Sequence, residues 1–188
     1  MSPRIGLDQK AVLSSAAELA DTQGFDAVTL ASLAQKLNIR TPSLYNHVAG
    51  LPELKRLLAL DGLKQLTELL SSALNDGTDS DAATTFCLSY VRFARQHPGL
   101  YEAVQRAPEP QDELLAEAGG QVVHFALTAL SGYGLTEEEA IHAVRGLRSL
   151  LHGFVYLESI GGFGLPYETD RTLHFIVETY LSGLRKQS

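Results

Sequence analysis

Between residues 40 and 48 the chain reads Arg-Thr-Pro-Ser-Leu-Tyr-Asn-His-Val. Leu44 and Val48 stand four residues apart, the spacing that puts two side chains on one side of a helix. Around them Arg40, Thr41, Ser43, Tyr45, Asn46 and His47 all form hydrogen bonds, and none is acidic. Serine, threonine and asparagine are short enough to reach base edges, whereas arginine, tyrosine and histidine reach phosphate oxygens. So short a segment, with two apolar anchors, does not hold itself together as a helix, and its neighbours must do so. A bland alternative fits the same residues: a packed helical hairpin with a solvated outer face.

Other chemistry finds less support. His142 and His152 lie ten residues apart, which is not an i, i+4 ligand pair, and neither His-Glu-x-x-His nor Cys-x-x-Cys occurs. The single cysteine, Cys87, has no partner for an internal disulfide, which favours a reducing compartment. There is no Gly-x-Ser-x-Gly elbow, dinucleotide fingerprint or phosphate loop, and Gly161-Gly162-Phe163-Gly164 follows no strand. No catalytic residue, metal or other cofactor is expected, and the chain is not expected to be an enzyme. The competing class is a helical small-molecule-binding protein or enzyme without DNA affinity, its site built from the histidines.

The elements that position residues 40–48 are helical. Apolar residues recur at helical spacing throughout: Val12, Ala16, Leu19 and Ala20; Leu30, Leu33, Ala34 and Leu37; Phe86, Tyr90, Phe93 and Ala94; Leu147, Leu151, Phe154 and Val155; Leu173, Ile176, Val177, Tyr180, Leu181 and Leu184. Sustained alternation is absent, so an all-α protein of about nine helices is expected. Gly24 ends the first helix, Thr29 caps the second, and Asn38 follows it in the left-handed region. Thr41 is expected to cap the third, with Pro42 at its first position. Leu51-Pro52 opens the fourth, Pro108-Glu109-Pro110 a later one, and Thr136 to Glu139 forms a capping box. Residues 29–48 thus read as a helix, a tight turn and a second helix. Backbone donors at the starts of the second and fourth helices, near Thr29 and Pro52, add anion sites.

Charge separates this segment from the rest. The 188 residues carry a net charge of −7, yet residues 1–60 sum to +1 and residues 61–188 to −8. A chain this acidic is no general polyanion binder, so any contact with nucleic acid is local to the first third. No apolar stretch reaches the roughly 18 residues of a membrane span, and a cytoplasmic location is expected.

The stretch from about residue 8 to 60 resembles the DNA-binding domain of TetR-type transcriptional regulators. The matching elements are Ala16-Ala17-Glu18-Leu19, the run Gly24 to Leu30, Leu33-Ala34, Ser43-Leu44-Tyr45-Asn46-His47-Val48 and the Leu54, Leu57, Leu58 stripe. The resemblance implies that Tyr45 and His47 contact phosphates and that Thr41 and Ser43 face bases or nearby phosphates. Family members often carry a lysine near the start of the fourth helix; this chain has Leu51 there and Lys55 one turn later. The DNA-contacting set expected is therefore Thr29, Arg40, Thr41, Pro42, Ser43, Tyr45, Asn46, His47 and Lys55.

Further on, Phe93 to Tyr101 and Arg148 to Phe154 are similar to stretches in one branch of these proteins, the latter to a Trp-His-Gly signature with Leu151 in place of Trp. This implies two parts: residues 1–50 for DNA and residues 51–188 for ligand binding and dimerisation. The implied partners are a palindromic double-stranded operator, an apolar small-molecule effector and a second copy of the chain, with repression as the default. An effector pocket is mainly apolar with a few polar groups, for which Tyr90, Phe93, Gln121, His124, Phe125, His152 and Tyr156 are the candidates. His152, inside the apolar run from Leu150 to Leu157, also reads as a core histidine, and the aromatics as mostly core.

Overall fold

A computed structural model describes residues 8–75, 82–105 and 112–185. Among them are eight α-helices: α1 (Gln9–Gln23), α2 (Leu30–Lys36), α3 (Leu51–Asn75), α4 (Ala82–Gln96), α5 (Pro98–Gln105), α6 (Glu113–Ala129), α7 (Glu137–Ser159) and α8 (Thr169–Leu184). Short 3-10 turns lie at Phe25–Ala27, Thr41–Asn46 and Ser131–Tyr133, and no strand occurs among the described residues. The all-α expectation holds, its nine helices matching these eight and the 3-10 segment at 41–46. The break at Pro108-Glu109-Pro110 lies outside the described residues.

The chain forms two compact units. The first comprises residues 1–64 with 97–116, the second residues 65–96 with 117–188. Helix α3 is continuous from residue 64 to residue 65, so its first half belongs to one unit and its second half to the other.

In the first unit, α1 buries Val12, Ala16, Leu19 and Ala20 on one stripe. Asp8 caps its start, accepting the Ala11 N–H at 2.7 Å, and Gly24, at φ 92°, ends it. Phe25, Leu33, Leu44, Leu54 and Leu58 complete this core. Helix α5 lies against α1 at a point where only glycine fits: a Cβ on Gly99 would collide with the Ala20 backbone and stand 2.6 Å from the Ala20 Cβ. The same junction caps α5 from a distance. Asp21 Oδ1 accepts the N–H groups of Gly99 (2.9 Å) and Leu100 (3.1 Å), two of the donors a helix start leaves without a partner. Its Oδ2 stands 3.1 Å from His97 Nδ1. On the other side of α5, Gly62 of α3 faces Leu100 and Val104. Arg56 of α3 forms a forked pair with Asp112, which also accepts the Leu115 N–H at 3.1 Å and so caps α6. This pairing holds the Asp112 carboxyl below its ordinary range.

In the second unit, α4 packs against α7 and α8. Phe86, Cys87, Tyr90, Phe93, Leu147, Leu151, Phe154, Leu173, Val177 and Leu181 are buried there. Thr136 and Glu139 make the expected capping box at the start of α7. Gly146 lets α8 approach, since a Cβ would strike the Tyr180 hydroxyl, which instead donates to the Ala143 carbonyl at 3.0 Å. Arg95 binds α7 and α8 together, pairing with Glu158 at 2.8 Å and Asp170 at 2.7 Å.

Two outcomes are expected. Gly99→Ala lowers stability by roughly 1–3 kcal/mol, the cost of overpacking a close helix contact, read as a shifted urea midpoint. The Arg95 hydrogen bond holds the Glu158 carboxyl below its usual range. Its stabilisation is therefore complete above the unfolded-state value, about 4.3, and is lost as pH falls through the lower folded value. Between about pH 6 and pH 3 the parent should lose stability more steeply than Glu158→Gln; parallel losses would count against this pair.

Candidate nucleic-acid interface

The interface is built from the turn outward. Thr29 Oγ1 accepts the Ser32 N–H at 3.0 Å, and Ser32 Oγ accepts the Thr29 N–H at 2.9 Å, so the start of α2 is closed by a reciprocal cap. Leu33 and Ala34 bury its inner side. Asn38 then adopts φ 53°, as expected, and the Ile39 N–H returns to the Ala34 carbonyl at 3.0 Å. The chain reverses there and enters the segment Thr41–Asn46.

That segment differs from the expected helix. It is 3-10 in form, Arg40 occupies the cap position, no side chain caps it, and Thr41 is inside the first turn with Pro42 after it. The Ser43 N–H bonds the Arg40 carbonyl at 2.9 Å and the His47 N–H bonds the Leu44 carbonyl at 2.9 Å. Six residues with one fully buried anchor, Leu44, gain little from the wider α spacing, and short helical pieces commonly take the 3-10 form. Val48 forms the second anchor at 4% exposure.

The outward face is as polar as the sequence implies. Arg40, Pro42, Tyr45 and Asn46 are exposed, while Thr41, Ser43 and His47 are half-buried beside them. Tyr45 shows 60% of its surface. The cations are less uniform. Lys36 pairs with Glu18 at 3.1 Å. Lys55 leans over the Phe25 ring, 4.7 Å from its centre, and stands 3.7 Å from Asp26. Arg40 has no ion pair among the described residues. One contributor escapes sequence reasoning altogether: Gln9 Nε2 donates to the His47 carbonyl at 3.0 Å. No local pattern announces a bond between residues 38 positions apart.

The candidate pocket residues, all in the second unit, are not gathered in this way. Tyr90 and Phe93 are buried, and Phe125 is half-buried with the His124 ring 6.2 Å from its own. Gln121, His124, His152 and Tyr156 are exposed. His152 is therefore not a core histidine, and Tyr156, 57% exposed, is not a core aromatic. The buried stripe of α7 runs through Leu147, Leu151, Phe154 and Val155. One step of about 100° around the helix carries His152 off that stripe. Among the described residues no three metal-ligating side chains gather, and no helix is long and apolar enough to cross a membrane.

Comparison with known proteins bears on both units. Residues 83–180 match the family model described as a tetracyclin repressor-like C-terminal domain. The chain is 40% identical over 187 residues to YobS of Bacillus subtilis strain 168, described as an uncharacterized HTH-type transcriptional regulator; the match covers 98% of this chain and 96% of that one. Among solved structures, a protein of unknown function from Rhodococcus sp. RHA1 superposes with a TM-score of 0.82 at 19% identity, covering 99% of this chain and all of that one. The TetR Q116A variant of Acinetobacter baumannii AYE, solved with minocycline, gives 0.69 at 21% identity, covering 96% and 99%.

The turn yields a check. Left-handed backbone costs a side chain with a branched Cβ about 1–2 kcal/mol. Asn38→Val should therefore melt earlier than Asn38→Gly by that margin, and equal melting of the two variants would remove the turn assigned here.

Proposed function

The chain belongs to the TetR family of helix-turn-helix transcriptional regulators, and on that premise we propose that it is a cytoplasmic, dimeric repressor released from its operator by a small apolar effector. The observation that carries this reading is the face of residues 40–47, hydrophilic and free of acids, with Leu44 buried behind it. In this account residues 1–50 grip DNA. Tyr45, His47 and Arg40 hold phosphates, Thr41, Ser43 and Asn46 lie toward base edges, and Pro42 shapes the entry. Thr29 contributes the start of α2 rather than its hydroxyl, which the cap already occupies. Lys55 joins the contact set by exchanging Asp26 for a phosphate.

Residues 51–188 bind the effector and pair two copies. The effector is set beside the rings of Tyr90, Phe93 and Phe125, with the Tyr90 hydroxyl as one polar group. Gln121 and His124 on α6 supply polar contacts once the pocket forms. The dimer face is assigned to the outer sides of α7 and α8. Exposed His152 and Tyr156 on α7, exposed Phe175 on α8, and open space around Gly153 support that choice. A twofold pair would set two recognition segments in successive major grooves, about 34–36 Å apart. The effector acts by favouring another spacing, with α3, continuous between the units, as the connecting element. Chemistry on a substrate has no part in this account, and none of these residues is assigned a catalytic role.

The test is fluorescence anisotropy of the full chain on a duplex that it selects from a random library, and on a scrambled duplex, at several salt concentrations. Arg40→Ala should weaken both and lower the salt slope by about one. Tyr45→Ala should weaken both about equally with the slope kept, because the ring carries no charge. Failure of the parent to select any duplex would end the regulator reading.

A further inference from the structure

The end of the recognition segment is a place where backbone acceptors run out of partners. A helix leaves its last carbonyls unsatisfied, and a six-residue 3-10 piece has almost no length over which to average that cost. At its close, the chain leaves helical geometry at His47, with φ −122° and ψ −29°. The carbonyl of that residue is taken by the Gln9 amide at 3.0 Å. Gln9 is the first residue of α1, and the Asp8 cap fixes where that helix begins. Among the described residues this is the side-chain hydrogen bond that ties the segment 41–47 to another helix. The apolar anchors Leu44 and Val48 set the segment's depth, but apolar contact is non-directional and constrains rotation about their line less than it constrains depth. A directional bond at the far end limits that rotation.

We propose that Gln9 is a positioning residue for DNA recognition, its amide setting the angle at which His47 and Tyr45 meet the phosphate backbone through the hydrogen bond to the His47 carbonyl. This rests on the DNA-binding reading above. Gln9 needs no contact with DNA in this role. A neutral amide suits it: a carboxylate would repel the carbonyl, and methionine has the same length with no donor.

The experiment uses the full chain and the duplex selected by the parent, with Gln9→Met, His47→Ala and the double variant. Gln9→Met should bind about fivefold more weakly, the equivalent of one neutral hydrogen bond, with an unchanged salt slope. In the His47→Ala background the same change should cost less than it does in the parent, because one of the two positioned groups is gone, Tyr45 remaining, and the two effects are then not additive. Amide exchange at residues 45–49 should quicken in Gln9→Met without DNA present, which tests the bond directly even where affinity is lost. Unchanged affinity of Gln9→Met, full additivity with His47→Ala, or unaltered exchange would each overturn the assignment. A parent that binds no duplex would instead overturn the regulator reading, while the exchange result would still decide whether Gln9 holds the segment.

Discussion

A 3-10 segment of six residues cannot stabilise itself, and the first unit is arranged around that constraint. Helix nucleation is unfavourable, and so short a piece recovers few hydrogen bonds for the backbone it orders. The segment Thr41–Asn46 is held from outside instead. Leu44 is fully buried and Val48 nearly so. Asn38 sets the reversal that delivers the chain to them, and Gln9 ends it. Helix α1 lies behind these contacts. Its inner stripe shares their core, and its C-terminal turn receives α5 through Gly99 and Asp21. The distant cap is efficient because Asp21 has two tasks, satisfying the donors of another helix while fixing where it sits.

Electrostatics in this unit are local, and mostly already spent. The whole chain is acidic, and of the cations near the proposed contact surface Lys36 and Lys55 have carboxylate partners. Exposed pairs of this kind add little to stability, so their consequence is chiefly to lower the free positive charge of the face. Arg40 has no such partner among the described residues, and hydroxyl, amide and imidazole groups stand beside it. In the proposed DNA-binding role, a surface of that composition would rely on directed hydrogen bonds as well as on charge.

The second unit solves a different problem. Helices α4, α7 and α8 share an apolar core whose rim is closed by Arg95, paired with carboxylates from both other helices and set over the Phe154 ring. Gly146 brings α8 near enough for Tyr180 to reach the Ala143 carbonyl, and burial pushes that phenol above its ordinary range. Helix α7 therefore has two distinct sides. The inner one carries Leu147, Leu151 and Phe154, while His152 and Tyr156 face outward beside the glycine with open space.

Patterns confined to a few turns of chain were legible in the sequence. Hydrophobic spacing marked the helices, and Gly24, Thr29, Asn38 and the Thr136 box marked their ends, because caps and left-handed turns depend on residues within a few positions. The polar composition of residues 40–47 was legible for the same reason. What tertiary structure decided involves partners far apart: Asp21 capping α5, Gln9 holding the His47 carbonyl, Lys55 turned to Asp26. The 3-10 form of the segment was not legible either, since the spacing of Leu44 and Val48 marks a helical turn without fixing its type. His152 shows the limit most plainly. An apolar neighbourhood in sequence says nothing of which side of a helix a residue occupies relative to its neighbours, and one residue's rotation moved it from the expected core to the surface.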